Sequence, residues 1–148
     1  MTDKEVVNQT AKIEELSLRG LQVRNLKVMD SFDAFDFVIR VKNTSDHFFK
    51  AVGQLTIANT FGRIIATLPL RQDNILAQST RQLVGAVPTV SWQPVFPLGR
   101  YTATAEVTPQ NSQYSTSHSL TFYDLPYKAI LALILVIVFY YKLWRRKI

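Results

Sequence analysis

The feature that most constrains this chain is an uncharged apolar run near its C-terminus, Ala129 to Tyr141 (AILALILVIVFYY). Thirteen helical residues span about 20 Å, which is short of the roughly 30 Å hydrocarbon core of a bilayer and alone would favour a buried core helix. With its flanks, the segment 125–144 has 20 residues, or about 30 Å of helix. The run lacks a polar stripe at helical spacing, which excludes an amphipathic surface helix. The sequence therefore predicts one transmembrane helix over 125–144.

The residues that flank this run are of the types that anchor a helix at the two membrane interfaces. Lysine stems lie along a helix while their ammonium groups reach the headgroups, and tyrosine and tryptophan rings favour the interface. Pro126 stands where a helix can begin without losing a hydrogen bond. The predicted anchor residues are Tyr127, Lys128, Tyr140, Tyr141, Lys142, Trp144, Arg145, Arg146 and Lys147.

The net charge of +6 is concentrated in the C-terminal tail. Residues 1–128 hold 13 basic and 11 acidic side chains, a balance of +2, and no acidic residue follows Asp124. A nucleic-acid-binding surface needs basic residues clustered on a folded face, so no nucleic-acid partner is predicted. By the positive-inside rule, the tail 145–148 lies in the cytoplasm and the preceding domain lies outside the plasma membrane. The competing topology is a tail-anchored protein whose domain is cytoplasmic.

Ahead of the apolar run, hydrophobic residues recur with a period of two. Phe35, Phe37, Ile39 and Val41 alternate with mostly polar residues, as in a half-buried strand. About seven short strands separated by turn signals predict an all-β fold, an immunoglobulin-like antiparallel β-sandwich over residues 20–124. Residues 1–19 are expected to form a polar lead-in with a weak helical pattern at 12–16. The predicted strands are 21–28, 35–41, 54–58, 63–70, 83–87, 100–107 and 115–123.

Four stretches carry a resemblance to a known group of proteins: VRVKNTSDHFF with GQLTIANTFGRIIATLPL, then NILAQSTRQL, then PLGRYTATAEV, and the closing LPYKAILALILV. In this order they resemble bacterial membrane-anchored surface proteins of the Gram-positive and Patescibacteria type, similar to the WxL-interacting surface proteins. In those proteins a juxtamembrane immunoglobulin-like domain precedes one helix and a basic tail. The resemblance covers residues 21–148 and implies a role in cell-envelope anchoring or adhesion without catalysis.

The residues that enzymes and metal sites require are scarce. The chain has no cysteine and only two histidines, and it lacks a nucleophile elbow, a phosphate-binding loop, a dinucleotide fingerprint and a zincin helix. Asp30, Asp33 and Asp36 are spaced by three, but the glycine and distal glutamate of a calcium-binding EF-hand loop are missing. We therefore expect exposed acids there, and predict no enzymatic activity, cofactor, metal or small-molecule substrate.

Two aromatic segments beside turn signals are candidates for a protein-contact surface. Exposed aromatic patches mark binding sites, whereas aromatics near turns more often cap the core of a sandwich, and both interpretations stand. The candidate protein-contact residues are His47, Phe48, Phe49, Trp92 and Phe96.

These features predict a non-enzymatic, single-pass cell-envelope protein. Its extracytoplasmic sandwich would act as a spacer, scaffold or protein-docking module, with the lipid bilayer and another envelope protein as partners. The alternative is an accessory subunit of a larger membrane complex, whose helix packs on others through small residues such as Ala129 and Ala132. Residues 1–20 contain several charges and no long apolar run, so they are no secretory signal, and we expect an export signal or further domains ahead of them.

Overall fold

The computed structural model describes residues 9–83, 90–92 and 98–145, and this part of the chain is mostly β-sheet with one C-terminal α-helix. The helix is α1, Tyr127–Arg145. The described strands are β1 Ala11–Leu18, β2 Leu21–Val23, β3 Leu26–Met29, β4 Phe35–Asn43, β5 Phe49–Ala58, β6 Ile64–Pro69, β7 Asp73–Ile75, β8 Thr80–Leu83, β9 Val90–Trp92, β10 Gly99–Pro109 and β11 Thr116–Asp124.

The strands form two sheets. In the first, β4 pairs with β1 on one side and with β8 and β9 on the other. The second has the order β2-β3-β11-β10-β5-β6, and β7 also pairs with β5. Its strands pair antiparallel except β3 and β11, which run parallel and end together at Met29 and Asp124. The prediction of an antiparallel fold is therefore wrong at this one pair, because both strands run toward the end of the domain where α1 begins.

The core lies between the two sheets, where the alternating apolar residues of β4, β5 and β10 are buried. Phe122 of β11 joins the sheets, since its ring centroid lies 5.5 Å from that of Phe35 and 5.9 Å from that of Phe37, both on β4. Tyr101 of β10 stacks on Phe122 at 5.7 Å. These four aromatic rings occupy the core near the helix end of the domain.

Residues 11–18 are strand β1 and not part of a polar lead-in, so the expected first boundary is wrong. β1 pairs along β4, and Ile13, Leu16 and Leu18 are buried in the core. The register shifts at a bulge between Ile13 and Glu15. Because a bulge adds one residue to the alternation, Ile13 and Leu16 acquire the three-residue spacing that suggested a weak helix.

Other predicted strand boundaries also change. The single strand expected over 21–28 is a hairpin of β2 and β3, turned at Arg24 with a φ of 54°. β5 begins at Phe49, five residues earlier than expected, and β7 and β9 were not predicted because each has only three residues. Of the predicted strand 83–87, only Leu83 is among the described residues, and it is the last residue of β8.

Helix α1 starts two residues later than the predicted boundary and ends one residue later, at Arg145. Leu125 still belongs to the β domain, because its N–H donates to the carbonyl of Met29 at 3.0 Å. Arg145 is therefore helical and not part of the tail, and Arg146 and Lys147 lie outside the described residues. None of the 19 residues of the helix is buried against the β domain.

Candidate functional sites: the helix junction and the distal loops

The junction between the β domain and α1 is built around the buried carboxylate of Asp30, in the loop between β3 and β4. Asp30 Oδ2 accepts a hydrogen bond from the backbone N–H of Lys128 at 3.0 Å, and Oδ1 accepts one from the N–H of Phe32 at 3.1 Å. The first N–H groups of a helix have no partner within the helix, and an aspartate carboxylate is among their best caps. Here the cap comes from a residue 98 positions away, so the start of the helix is tied to the β domain.

A second carboxylate of the same loop contacts the first turn of the helix. Lys128 Nζ lies 2.5 Å from Asp33 Oδ2, and both side chains are about half exposed. The Lys128 ammonium thus pairs with Asp33 within the protein, and its contact with lipid headgroups stays a prediction. An exposed pair of this kind contributes little stability alone. Together with the Asp30 cap and the Leu125 bond, it fixes the helix start at three points.

Beneath the junction, Ser31 Oγ donates a 2.6 Å hydrogen bond to Oδ1 of the buried Asp124. Asp124 Oδ2 is also buried, and it has no hydrogen-bond partner among the described residues. Burial raises the pKa of Asp124, the Ser31 hydrogen bond lowers it, and the nearby charge of Asp30 raises it further. Burial also raises the pKa of Tyr101, and the charge of Asp124 adds to that effect.

The junction residues were not identified as a site from the sequence. Asp30, Asp33 and Asp36 were expected to be exposed acids, but Asp30 is buried and the first two contact Lys128. Within the described ranges, no three His, Asp or Glu side chains are grouped to hold a metal ion. The short Asp-Ser-Phe-Asp segment predicts a local turn. Its contact with a lysine almost a hundred residues later has no local signature, so the sequence alone does not show it.

The predicted anchor residues lie at both ends of α1. Tyr127 and Lys128 are in its first turn, and an aromatic group is exposed near its last turn beside basic residues. That group is Tyr140, Tyr141, Lys142, Trp144 and Arg145.

At the opposite end of the domain, Asn43 organises the loop between β4 and β5. Its side chain is fully buried, and Nδ2 donates to the carbonyls of His47 at 2.8 Å and Ile75 at 3.0 Å. Oδ1 accepts from the N–H of Ser45 at 2.8 Å and from its hydroxyl at 2.6 Å. Buried polar groups require such partners. The amide of Asn43 therefore holds residues 43–47 against the end of β7.

This arrangement leaves two apolar side chains exposed on neighbouring loops, which we call the distal loops (residues 43–48 and 75–79). Gln78 Nε2 donates to the carbonyls of Thr44 and Ser45 at 3.2 and 3.3 Å, which links the two loops. Phe49 pairs with Ile75, so Phe48 and Leu76 occupy the next positions of the two adjacent segments. Phe48 is 64% exposed and Leu76 is 67% exposed. The distal loops thus present an apolar surface on a hydrogen-bonded frame.

The structure does not bring the two predicted aromatic segments together. His47 and Phe48 are exposed as expected of a contact surface, but Phe49 is buried in the core, so its assignment as a contact residue is wrong. Phe49 is the first residue of β5, where alternation turns every second side chain inward. The backbone of Trp92 pairs with Phe35 at the other end of β4. The side chain of Trp92 and all of Phe96 lie outside the described residues.

No protein-family profile and no curated protein sequence matches this chain. Among solved structures, it is similar to the alkylpurine DNA glycosylase AlkC of Pseudomonas fluorescens, with a TM-score of 0.50 and 13% identity over 76% of this chain and 30% of that chain. It is also similar to a family 123 glycoside hydrolase of Clostridium perfringens, with a TM-score of 0.50 and 15% identity over 79% of this chain and 27% of that chain. The chain spans under a third of either protein, and at these identities the likeness concerns the fold alone.

Proposed function

We propose that this protein is a single-pass membrane protein whose β domain is held at the bilayer surface by α1. The observation that carries the proposal is the helix itself: 19 residues, apolar on all faces, none of them buried in the domain. Nineteen residues extend about 28 Å, close to the thickness of the hydrocarbon core. An unburied apolar surface of this size is unfavourable in water, and a bilayer removes it from water.

The domain is proposed to be an immunoglobulin-like sandwich outside the cytoplasm, as in the surface proteins that the sequence resembles. Two facing sheets with a shared core support the sandwich. The orientation rests on the four basic residues of the tail region, Lys142, Arg145, Arg146 and Lys147, which favour the cytoplasmic side. The plasma membrane of a bacterium is the location that this resemblance implies.

The domain acts as a non-enzymatic spacer that presents the distal loops to another envelope protein. β10 runs the length of the domain from the helix end, and its 11 residues extend about 33 Å. The triple attachment of α1 at Asp30, Asp33 and Met29 couples the orientation of the domain to that of the helix. The distal loops would therefore stand at a fixed height above the bilayer, with Phe48 and Leu76 available for contact.

Photocrosslinking in intact cells tests the contact. A photoreactive amino acid at Phe48 is expected to give an adduct with a second protein, whereas the same probe at His118, exposed on β11 away from the distal loops, is expected to give none. Monomer alone from both positions would contradict the docking role.

The competing arrangement is an accessory subunit whose helix packs against other membrane helices. In that case a probe at Ala132 in α1 would give the protein adduct, and the protein would migrate as part of a large complex after mild detergent extraction.

A further inference from the structure

We propose that the β domain makes a second, shallow contact with the same bilayer through three apolar side chains at its helix end, Phe32, Phe61 and Leu98, here called the membrane-facing rim. This proposal rests on the membrane span proposed for α1. The three residues belong to three different connections of the domain, and each is exposed. The occupant of this surface is the interfacial region of the lipid bilayer, where aromatic and large aliphatic side chains are favourable.

Phe61 is the most exposed member of the rim, at 91%. It lies at the tip of the β5–β6 hairpin, which is fixed by Asn59: Oδ1 accepts from the N–H groups of Phe61 and Arg63, each at 3.0 Å. Gly62 completes the turn with a φ of 77°. A well-bonded turn tip is ordinarily polar. A rigidly presented phenylalanine at this point indicates that the tip contacts an apolar phase.

The direction of this hairpin follows from its register with β10. Ala58 pairs with Thr102, and Thr60 Oγ1 accepts from the N–H of Arg100 at 3.3 Å and donates to its carbonyl at 2.9 Å. Phe61 therefore extends about one residue beyond Arg100, to the level at which Gly99 pairs with Asp124. Three residues after Asp124 the helix begins. The tip thus points toward the membrane side.

Phe32 and Leu98 lie at the same level. Phe32 is 66% exposed and sits between Asp30 and Asp33, which both contact Lys128 in the first turn of α1. Leu98 is 57% exposed and directly precedes Gly99, so it lies beside Leu125 in the continuation of the β10–β11 register. The headgroup region is roughly 5–7 Å thick on each side of the bilayer, a distance that side chains at the helix start reach.

Exposed arginines accompany the rim. Arg63 follows the Phe61 tip, and Arg100 lies opposite Thr60. Arg19 lies near the start of β4, where its backbone N–H donates to the carbonyl of Asp36. Apolar side chains bordered by guanidinium groups suit an interface of acyl chains below phosphate groups. This charge complementarity, and continuity with the site where α1 enters the membrane, identify lipid as the occupant.

A depth measurement on single-cysteine variants tests the rim. The chain has no native cysteine, so Phe61→Cys and Phe48→Cys can each carry one environment-sensitive fluorophore in the full-length protein, reconstituted in vesicles of phosphatidylcholine and phosphatidylglycerol. These two positions are a matched pair, since both replace an exposed phenylalanine, at opposite ends of the domain. We expect the probe at position 61 to emit at shorter wavelength and to be quenched by headgroup-spin-labelled lipid, and the probe at position 48 to show neither effect.

A third label separates this proposal from the one on which it rests. Leu133→Cys, within the apolar run of α1, is expected to be quenched by lipids spin-labelled in the acyl chain. Quenching at 133 with none at 61 overturns the rim and leaves the membrane span intact. No quenching at 133 overturns the membrane span and the rim with it. Equal quenching at 61 and 48 also overturns the rim, because contact would then not be specific to the helix end.

Discussion

Asp30 Oδ2 accepts the backbone N–H of Lys128 at 3.0 Å, so a buried carboxylate of the β3–β4 loop caps a helix that begins 97 residues later in the chain. The cap comes from the folded domain and is absent from the helix's own sequence. It therefore forms only when the domain has folded, and it ties the direction of α1 to the two sheets. A flexible linker at this position would leave the orientation of the domain relative to α1 unfixed.

The first prediction concerns this cap. Asp30→Ala removes the acceptor for the N–H groups of Lys128 and Phe32, so we expect faster amide hydrogen exchange over residues 125–131. Loss of an N-cap also lowers stability, and we expect a decrease of about 1–2 kcal/mol in the free energy of unfolding. Hydrogen-exchange mass spectrometry in nanodiscs and urea unfolding in detergent measure the two effects.

Asp33→Ala is the matched control, because Asp33 lies in the same loop and also contacts Lys128, but through an exposed ion pair. Such pairs contribute little and are screened by salt. We expect this variant to leave the exchange of residues 125–131 close to that of the wild type. Equal acceleration in both variants would show that the carboxylate cap is not what holds the helix start.

The second prediction concerns the frame of the distal loops. Asn43→Ala removes the amide donor to the carbonyl of Ile75 and the amide acceptor of the Ser45 N–H, whereas the carbonyl of His47 keeps its bond from the Ser45 hydroxyl. Buried polar groups that lose a partner reduce stability by about 1–3 kcal/mol each, so we expect a loss of about 3 kcal/mol in the free energy of unfolding.

The nearby Asn74→Ala is the comparison, since Asn74 is exposed on β7. A surface substitution of this kind is expected to change the free energy of unfolding by less than about 0.5 kcal/mol. Chemical denaturation of both variants provides the measurement. Similar losses in the two would contradict the role assigned to the Asn43 amide.

The third prediction is a pH dependence that arises from Asp124. Burial raises the pKa of Asp124 in the folded protein, so the folded state binds a proton more readily than the unfolded state, whose aspartate pKa is about 3.9. The contribution of Asp124 to stability therefore falls as pH rises from that unfolded value through the raised folded value, and is constant above it.

Asp124→Asn isolates this contribution, because the amide oxygen can still accept the Ser31 hydrogen bond while the charge is removed. The difference in unfolding free energy, variant minus wild type, is expected to increase with pH across that range and then to level off. Carboxylates distant from Asp124 titrate equally in both proteins and cancel. A difference that does not vary with pH would contradict the account of a buried, ionisable Asp124.

The sequence was sufficient to predict the elements whose pattern is local. The alternation in β4 and β10 predicted two central strands, and the uninterrupted apolar run predicted the C-terminal helix. The bulge at residues 13–15 of β1 disguised the alternation there, and strands as short as β7 and β9 contain too few residues to show a period.

The junction could not be predicted, because it depends on pairing between distant segments. Asp30 and Asp33 form a regularly spaced acidic cluster in the sequence, and only the parallel pairing of β3 with β11 places them beside Lys128. For the distal loops, Phe48 is exposed and its role in protein contact stays a prediction, whereas Phe49 is buried because the first residue of β5 faces the core.

The most direct test of the central claim, a membrane-spanning α1 with the β domain outside the cytoplasm, is labelling of single cysteines with a membrane-impermeant maleimide in intact cells. Ser115→Cys places a thiol in the exposed β10–β11 connection, and Ile148→Cys places one at the end of the basic tail. We predict that position 115 is labelled in intact cells and that position 148 is labelled only after permeabilisation. The reverse pattern, or recovery of the protein in the soluble fraction after lysis, would contradict the account.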